Sequence, residues 1–205
     1  MEVDKMLDYI KDVLENMPAD WLRLTTHRLD IYNEELAKVQ FLDQFEILAN
    51  ENKSSSSALS ELPTAYDYIR LGHPLSCVLE WAIAKLNNLA PDQVISFLSK
   101  TTPILSVLRK NLLNHKNTLI AYRNELPSTF DTEVLKTVYG YTFELKKVEK
   151  ASDVAEFDGS VIFVSQQDEI FPINQNSNID FYIHLYVDFG SVLLVNGEQN
   201  KEYIS

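Results

Sequence analysis

The sequence has few of the residues that mark extreme classes of protein. Its 205 residues include one cysteine, five glycines and seven prolines, which excludes a disulfide-stapled scaffold and a collagenous or low-complexity chain. A lone thiol, Cys77, is typical of a reducing compartment, so we predict a cytoplasmic protein. No apolar run approaches the roughly 20 residues of a membrane helix, and the first residues lack the basic stretch of a signal peptide. We therefore expect neither a membrane helix nor a signal peptide.

Basic side chains are also scarce. The chain has 18 Lys and Arg against 30 Asp and Glu, which gives a net charge of −12. This charge repels a phosphate backbone and an anionic membrane surface, so we expect no nucleic-acid and no membrane partner. The sequence contains no glycine-rich phosphate loop, and its histidines do not lie at metal-binding spacing. We therefore predict neither a nucleotide site nor a metal site.

The chain is 45% apolar, enough to form a core, and its first region predicts helices. One apolar stripe at steps of three and four, ended by Pro18, comprises Val3, Met6, Leu7, Ile10, Val13, Leu14 and Met17. A second helical stretch, from about residue 20 to 49, has as its predicted buried side Ile31, Val39, Leu42 and Phe45. We predict a helical region over residues 1–50 and a serine-rich linker over residues 51–61.

Residues 62–205 change repeatedly between helical and strand patterns. The predicted helices are Pro74–Leu86, Pro103–Leu113 and residues 129–139. The predicted strands are Val94–Phe97, Thr118–Tyr122, Thr142–Leu145, Val161–Val164, Phe181–Val187 and Val192–Val195. This alternation predicts an α/β domain whose mainly parallel sheet has helices on both faces.

The most specific pattern lies between residues 66 and 86. Tyr68 and Arg70 form a Tyr-x-Arg pair, Gly72 and Pro74 frame a turn, and the following helix contains Leu79-Glu80 and Ile-Ala-Lys-Leu. This segment resembles the N-terminal part of the pyridoxal-phosphate (PLP) enzymes of cysteine and methionine metabolism, which include cystathionine synthases and lyases. The resemblance extends over about residues 62–195, the first half of a PLP-binding domain.

The resemblance implies a PLP site and an oligomer built on dimers. In this interpretation Tyr68 and Arg70 reach across a dimer to the cofactor phosphate, for which a phenol and a guanidinium are suitable donors. Ser99 and Thr101 occupy the phosphate-binding turn, although the family's glycine is Lys100 here. Asp188 occupies the position of the aspartate that pairs with the pyridine nitrogen. From the residues alone, Asp188 also fits a turn residue before Gly190.

A lysine at the position of the family's Schiff-base lysine is not found after Asp188. Two hypotheses therefore stay open. The chain is the N-terminal part of a PLP-dependent carbon–sulfur lyase or transferase, inactive as the isolated 205-residue chain, or it is a non-catalytic α/β interaction module derived from that family. Both predict a homo-oligomer, or a partner protein bound through the N-terminal helices. We interpret Cys77 as a packed thiol and residues 174–178 as a polar surface loop.

Overall fold

The chain folds into two compact units, Met1–Pro91 and Asp92–Ser205. The structure is a computed structural model. It describes residues 2–22, 34–63, 73–168, 170, 172–197 and 200, and for residues 34–37 it describes the backbone only. The first unit is helical, and the second holds a β-sheet. Each unit has its own buried apolar cluster.

The division of the chain differs from the predicted linker at residues 51–61. That segment contains a short helix, Ser56–Ser60, whose Leu59 is fully buried in the first unit. The Ser55 hydroxyl accepts a hydrogen bond from the backbone N–H of Ala58 and so caps this helix. The serines therefore begin a helix, and a single apolar residue anchors it.

The helices of the first unit are α1 (Val3–Asn16), α2 (Glu34–Asn50), α3 (Ser56–Ser60) and α4 (Pro74–Leu86), and a 3₁₀ turn covers Ala19–Leu22. Pro74 occupies the first turn of α4, as predicted. The ring Nδ1 of His73 accepts a hydrogen bond from the Leu75 backbone N–H at 3.1 Å and caps the same helix.

Aromatic rings form the centre of the first unit. The Phe45 ring centroid lies 5.8 Å from Tyr9, 6.0 Å from Phe41 and 5.2 Å from Trp81. Phe41 and Phe45 are fully buried, whereas Val39, predicted to be buried, is 43% exposed. Ile31 lies outside the described residues. The prediction for Val39 was wrong because Phe41, next to Leu42, supplies a larger apolar surface to the core.

Helix α1 departs from its predicted single stripe in a similar way. Met6, Tyr9 and Val13 are buried, and Tyr9 was not among the predicted residues. Val3, Leu7 and Leu14 are 48%, 52% and 46% exposed. The helix thus has two apolar rows, and the unit's core covers only one of them.

Charged groups that are buried or partly buried join α2 to α4. The carboxylate of Glu46 accepts hydrogen bonds from the Trp81 indole N–H and from Lys85 Nζ, the latter at 2.7 Å. Burial acts to raise the pKa of Glu46, but the bonds from Lys85 and Trp81 outweigh it and hold that pKa below its ordinary value. A second pair joins Lys38 Nζ to the buried Glu80 at 2.6 Å.

The Cys77 side chain lies in the core of the first unit with 1% of its surface exposed. Burial is the main cause that raises the pKa of its thiol to about 12. The nucleophilic thiolate is therefore absent at neutral pH. The interpretation of Cys77 as a packed thiol is confirmed.

The second unit is built on a six-stranded sheet in the order β1-β6-β5-β4-β2-β3. Its strands are β1 (Val94–Phe97), β2 (Thr118–Tyr122), β3 (Phe143–Lys147), β4 (Ser160–Gln167), β5 (Phe181–Tyr186) and β6 (Ser191–Val195). Strands β3, β2, β4 and β5 are mutually parallel, and β6 is antiparallel to both of its neighbours. The predicted α/β class with a mainly parallel sheet is confirmed.

The two faces of this sheet are covered differently. Helices α5 (Thr102–Leu113) and α6 (Thr132–Thr137) pack on the face that includes Ile120 and Ile162. Residues 148–159 join β3 to β4 and residues 168–180 join β4 to β5. In their described parts these connections contain a 3₁₀ turn, Ala151–Asp153, and no α-helix. The prediction of helices on both faces holds for one face of the described sheet.

Strand β3 forms one edge of the sheet. It pairs only with β2 in the described sheet, and its residues 144–147 are exposed. Three of these four side chains are charged, namely Glu144, Lys146 and Lys147.

Nowhere in the part of the chain that the structure describes is a helix both long and apolar enough to cross a membrane.

Candidate ligand-binding site

The site residues predicted from the resemblance are only partly covered by the structure. Tyr68 and Arg70 fall outside the described residues. Ser99 follows β1, and its hydroxyl oxygen accepts hydrogen bonds from the backbone N–H groups of Thr101 and Thr102 at 3.2 and 3.1 Å. These N–H groups begin helix α5, so a phosphate at this helix end would have to displace the Ser99 hydroxyl. The Thr101 hydroxyl is hydrogen-bonded to that of Thr129.

Asp188 lies in the turn that joins β5 to β6, and its side chain is exposed. This turn is fastened to the segment after β1, because Lys100 Nζ donates to the Val187 carbonyl at 2.8 Å and the Ser191 hydroxyl donates to the Ser99 carbonyl at 2.7 Å. The structure therefore brings the segments of Ser99 and Asp188 to the same end of the sheet. Lys100, in the place of the family's glycine, spans the gap between them.

A cavity of about 620 Å³ lies on the opposite face from α5 and α6. Strands β4 and β5 form its floor with Phe163, Ser165, Tyr182 and His184. Its walls come from the two connections without α-helices, around residues 150–152 and 172–177. The mixture of aromatic rings and polar groups on its lining is typical of sites for small molecules.

The register of the sheet explains why these floor residues meet. Ser165 pairs with His184 and Phe163 with Tyr182, so all four side chains point to the same face. Arg123 follows β2, and its backbone N–H donates to the Val164 carbonyl at 2.9 Å, which continues the ladder. Arg123, Ser165 and His184 are thus neighbours at the carboxyl ends of adjacent strands.

His184 is the most unusual group in the cavity. Its Nδ1 lies 2.9 Å from the Ser165 hydroxyl and 3.4 Å from the side-chain N–H of Gln167, which also donates to the Ser165 oxygen at 3.0 Å. Burial lowers the pKa of this imidazole to about 4, so the ring is neutral at pH 7. With donors around Nδ1, the proton is expected on Nε2. Within the described residues, this buried Nε2 has no hydrogen-bond partner.

Two cations line the same cavity, Arg123 and Lys150. Lys150 Nζ is 4.0 Å from the Asp153 carboxylate, and its side chain is 72% exposed. Arg123 is exposed and makes no ion pair with a described residue. The cavity therefore carries positive charge, and one of its lining residues, His184, holds a buried unsatisfied donor, an arrangement suited to an anionic ligand.

Asparagine side chains hold the two connections together over the cavity. The Asn176 amide donates to the carbonyls of Ala151 and Val154, and the Asn178 amide also donates to Val154. Residues 174, 175 and 177 are exposed, as predicted for a surface loop, but Asn176 and Asn178 are partly buried. The asparagine-rich stretch therefore ties the wall of the cavity together.

The cavity lies where the connections of the sheet change sides. After β2 the chain passes through α6 on one face, and after β4 it passes over the other face. In open α/β sheets, ligands bind outside the carboxyl ends of strands at such a switch point. Arg123 follows β2 and Ser165 lies near the end of β4, so both border this position.

The sequence analysis did not single out Arg123, Lys150, Ser165 or His184 as a set. The available signal was the occurrence of Ser165 and His184 within otherwise apolar strands, since polar residues are rare in buried strands. Their pairing depends on the register of β4 with β5, which the sequence does not reveal. In the described ranges, no group of acidic, histidine or cysteine side chains is arranged to hold a metal ion.

No protein-family model matches the sequence, and no curated protein matches it either. Among solved structures, metB from Corynebacterium glutamicum is similar at 16% identity and a TM-score of 0.42, over 70% of this chain and 48% of that chain. A second is metY from Campylobacter jejuni, described as a candidate O-acetylhomoserine (thiol)-lyase and solved with N'-pyridoxyl-lysine-5'-monophosphate. It is 13% identical with a TM-score of 0.35, over 85% of this chain and 48% of that chain. The chain spans about half the length of these two proteins.

Proposed function

We propose that this chain is a small-molecule-binding α/β protein whose cavity takes a phosphate- or carboxylate-bearing ligand without covalent attachment. The observation that carries the proposal is the buried Nε2 of His184, which lacks a partner among the described residues and belongs to a cavity lined by Arg123 and Lys150. A buried donor without an acceptor costs about 1–3 kcal/mol. A ligand oxygen that reached this nitrogen would remove the cost.

The proposed division of roles follows from the positions of the side chains. Arg123, at the end of β2, contributes a charge-assisted fork to the anionic group. His184 donates from Nε2, and Ser165 and Gln167 fix the orientation of its ring through Nδ1. Phe163 and Tyr182, whose rings meet edge to face at 6.0 Å, provide apolar surface for the body of the ligand.

PLP is the first ligand to test, because the resemblance implies it and because the cavity offers suitable phosphate donors. In PLP enzymes the bound cofactor acts as an electron sink for substrate carbanions. We propose that this chain binds such a molecule and does not itself perform carbon–sulfur lyase or transferase chemistry. A cytoplasmic location, which would expose the cavity to phosphorylated metabolites, is part of the same proposal.

Calorimetric titration of the full chain with 4′-deoxypyridoxine 5′-phosphate, which has the phosphate but no aldehyde, tests the proposal. Arg123→Ala should weaken binding by about 10- to 100-fold, since a hydrogen bond to a charged group contributes about 1.5–3 kcal/mol. Arg109→Ala removes an exposed arginine of α5, on the other face of the sheet, and should leave binding unchanged. Equal affinity of the Arg123→Ala variant and the unmodified chain would refute the cavity as the site.

Arg70→Ala separates this proposal from the site implied by the resemblance. Loss of binding in Arg70→Ala, together with full binding in Arg123→Ala, would place the phosphate at the family's position. The opposite result would assign it to the cavity. Both variants should be compared by thermal melting without ligand, so that a loss of stability is not mistaken for a loss of affinity.

A second candidate function is a protein-interaction module, the alternative hypothesis from the sequence. The observation that favours it is the exposed apolar row on α1, Val3, Leu7 and Leu14, which the core of the first unit leaves uncovered. This row belongs to the first unit, and the cavity belongs to the second.

A further inference from the structure

The exposed row of α1 has the spacing of a helix–helix seam. Val3, Leu7, Ile10 and Leu14 follow one another at steps of four, three and four residues. Ile10 is partly buried, and the other three are close to half exposed. Apolar residues at this spacing form the contact line of two-stranded coiled coils. Ile10 also packs against the core of the first unit, so Val3, Leu7 and Leu14 supply most of the exposed seam.

The two flanks of this seam differ. On one side lie Met6 and Val13, which are buried in the core of the first unit. On the other side lie Asp4 and Lys11, both exposed. A partner helix can therefore pair charges only on the flank of Asp4 and Lys11. Asp4 and Lys11 lie directly beside the seam, a full heptad apart, and the exposed Asp8 and Glu15 lie one position further from it.

The charges on this flank make the surface complementary to itself. When two copies of α1 lie antiparallel, the same flank of each helix meets, so Asp4 of one copy faces Lys11 of the other, and the pair occurs twice. In a parallel arrangement this flank would meet the side of the partner occupied by Met6 and Val13, and no ion pair would form. An antiparallel contact also sets the two helix dipoles in opposite directions.

We propose that the occupant of this surface is a second copy of the same chain, with α1 packed antiparallel on α1 about a two-fold axis. Such a contact is isologous, because the same patch serves both copies. It covers Val3, Leu7 and Leu14 of each copy, together with the exposed part of Ile10, which places it at the small end of specific interfaces. The net charge of −12 opposes association at low salt, and physiological ionic strength screens much of this repulsion. A weak, reversible dimer is expected.

Sedimentation equilibrium of the full chain at about 0.15 M salt, where the screening length is about 8 Å, measures this dimer. Leu7→Glu should raise the dissociation constant at least about 10-fold, because a buried unpaired charge is costly. Ile47→Glu is the matched control, since Ile47 is 55% exposed on α2 and lies outside the seam. It should leave the dissociation constant unchanged. Equal effects of the two variants, or a monomer throughout the unmodified chain's accessible concentration range, would overturn the proposal.

Charge exchange tests the antiparallel arrangement independently. Asp4→Lys and Lys11→Asp should each weaken the homodimer, because each places like charges opposite one another. A mixture of the two single variants, and the double variant, should restore association, since unlike charges then face again. Circular dichroism should confirm that α1 remains helical in each variant. Failure of both the mixture and the double variant to recover would overturn the antiparallel α1 contact.

Discussion

Protonation of His184 is expected to make the fold sensitive to acid. In the unfolded chain the imidazole has an ordinary pKa of 6.5, and in the folded chain burial lowers it to about 4. Between these values the unfolded state binds more protons, so stability falls as the pH falls. At pH 5 this difference amounts to about 2 kcal/mol relative to neutral pH, and it is fully restored above the unfolded pKa.

The assay is urea unfolding of the unmodified chain and of His184→Gln at about pH 7.5 and pH 5, with stability taken by linear extrapolation. At the higher pH, the substitution costs the hydrogen bond to Ser165 and some packing. At pH 5 that cost should be smaller by about 2 kcal/mol, because only the unmodified chain bears the protonation penalty. His115→Asn, which removes an exposed imidazole at a left-handed backbone position, is the control. An equal cost of His184→Gln at both pH values would refute the reasoning.

Two further predictions concern the turn after β5 and the lysines. Gly190→Ala should lower the free energy of unfolding, measured in urea, by about 2–4 kcal/mol, since φ is +87° and a Cβ would lie 2.2 Å from the Phe97 carbonyl oxygen. Gly140→Ala, at φ +70° with no atom within 4 Å of the added Cβ, should lower it by only about 1 kcal/mol. Similar losses in the two variants would contradict the close approach at Gly190. When the chain is mixed with PLP and reduced with borohydride, mass spectrometry should show no stoichiometric adduct, because Lys100 Nζ is hydrogen-bonded to a carbonyl and Lys150 is largely solvated. A single fully modified lysine would argue for Schiff-base chemistry.

The strands and most helices of the second unit could be predicted from the sequence, because each is a short run of one apolar period between polar segments. Val94–Phe97 and Thr118–Tyr122 coincide with their predicted bounds. The exposed side of α1 could not be predicted in this way. Val3 and Met6 are equally apolar, and only the placement of the other helices decides which row is covered.

The cavity was beyond sequence reasoning for a related reason. Ser165 and His184 are 19 residues apart, and their contact at 2.9 Å depends on strand register. The hydroxyl of Ser99, predicted from the resemblance as a phosphate ligand, accepts hydrogen bonds from the backbone N–H groups of Thr101 and Thr102 at the start of α5. The alternation of helix and strand patterns thus predicted the sheet class, whereas the cavity depends on contacts between strands that the sequence does not reveal.

The charged edge strand β3 has a consequence for fibril growth. An unpaired edge invites strands from other molecules, and amyloid stacks identical segments in register about 4.8 Å apart. Stacking copies of β3 in this way would place Lys146 on Lys146 and Lys147 on Lys147 along the whole fibril. The repulsion would accumulate with each added strand. We therefore expect β3 to resist serving as a template for amyloid.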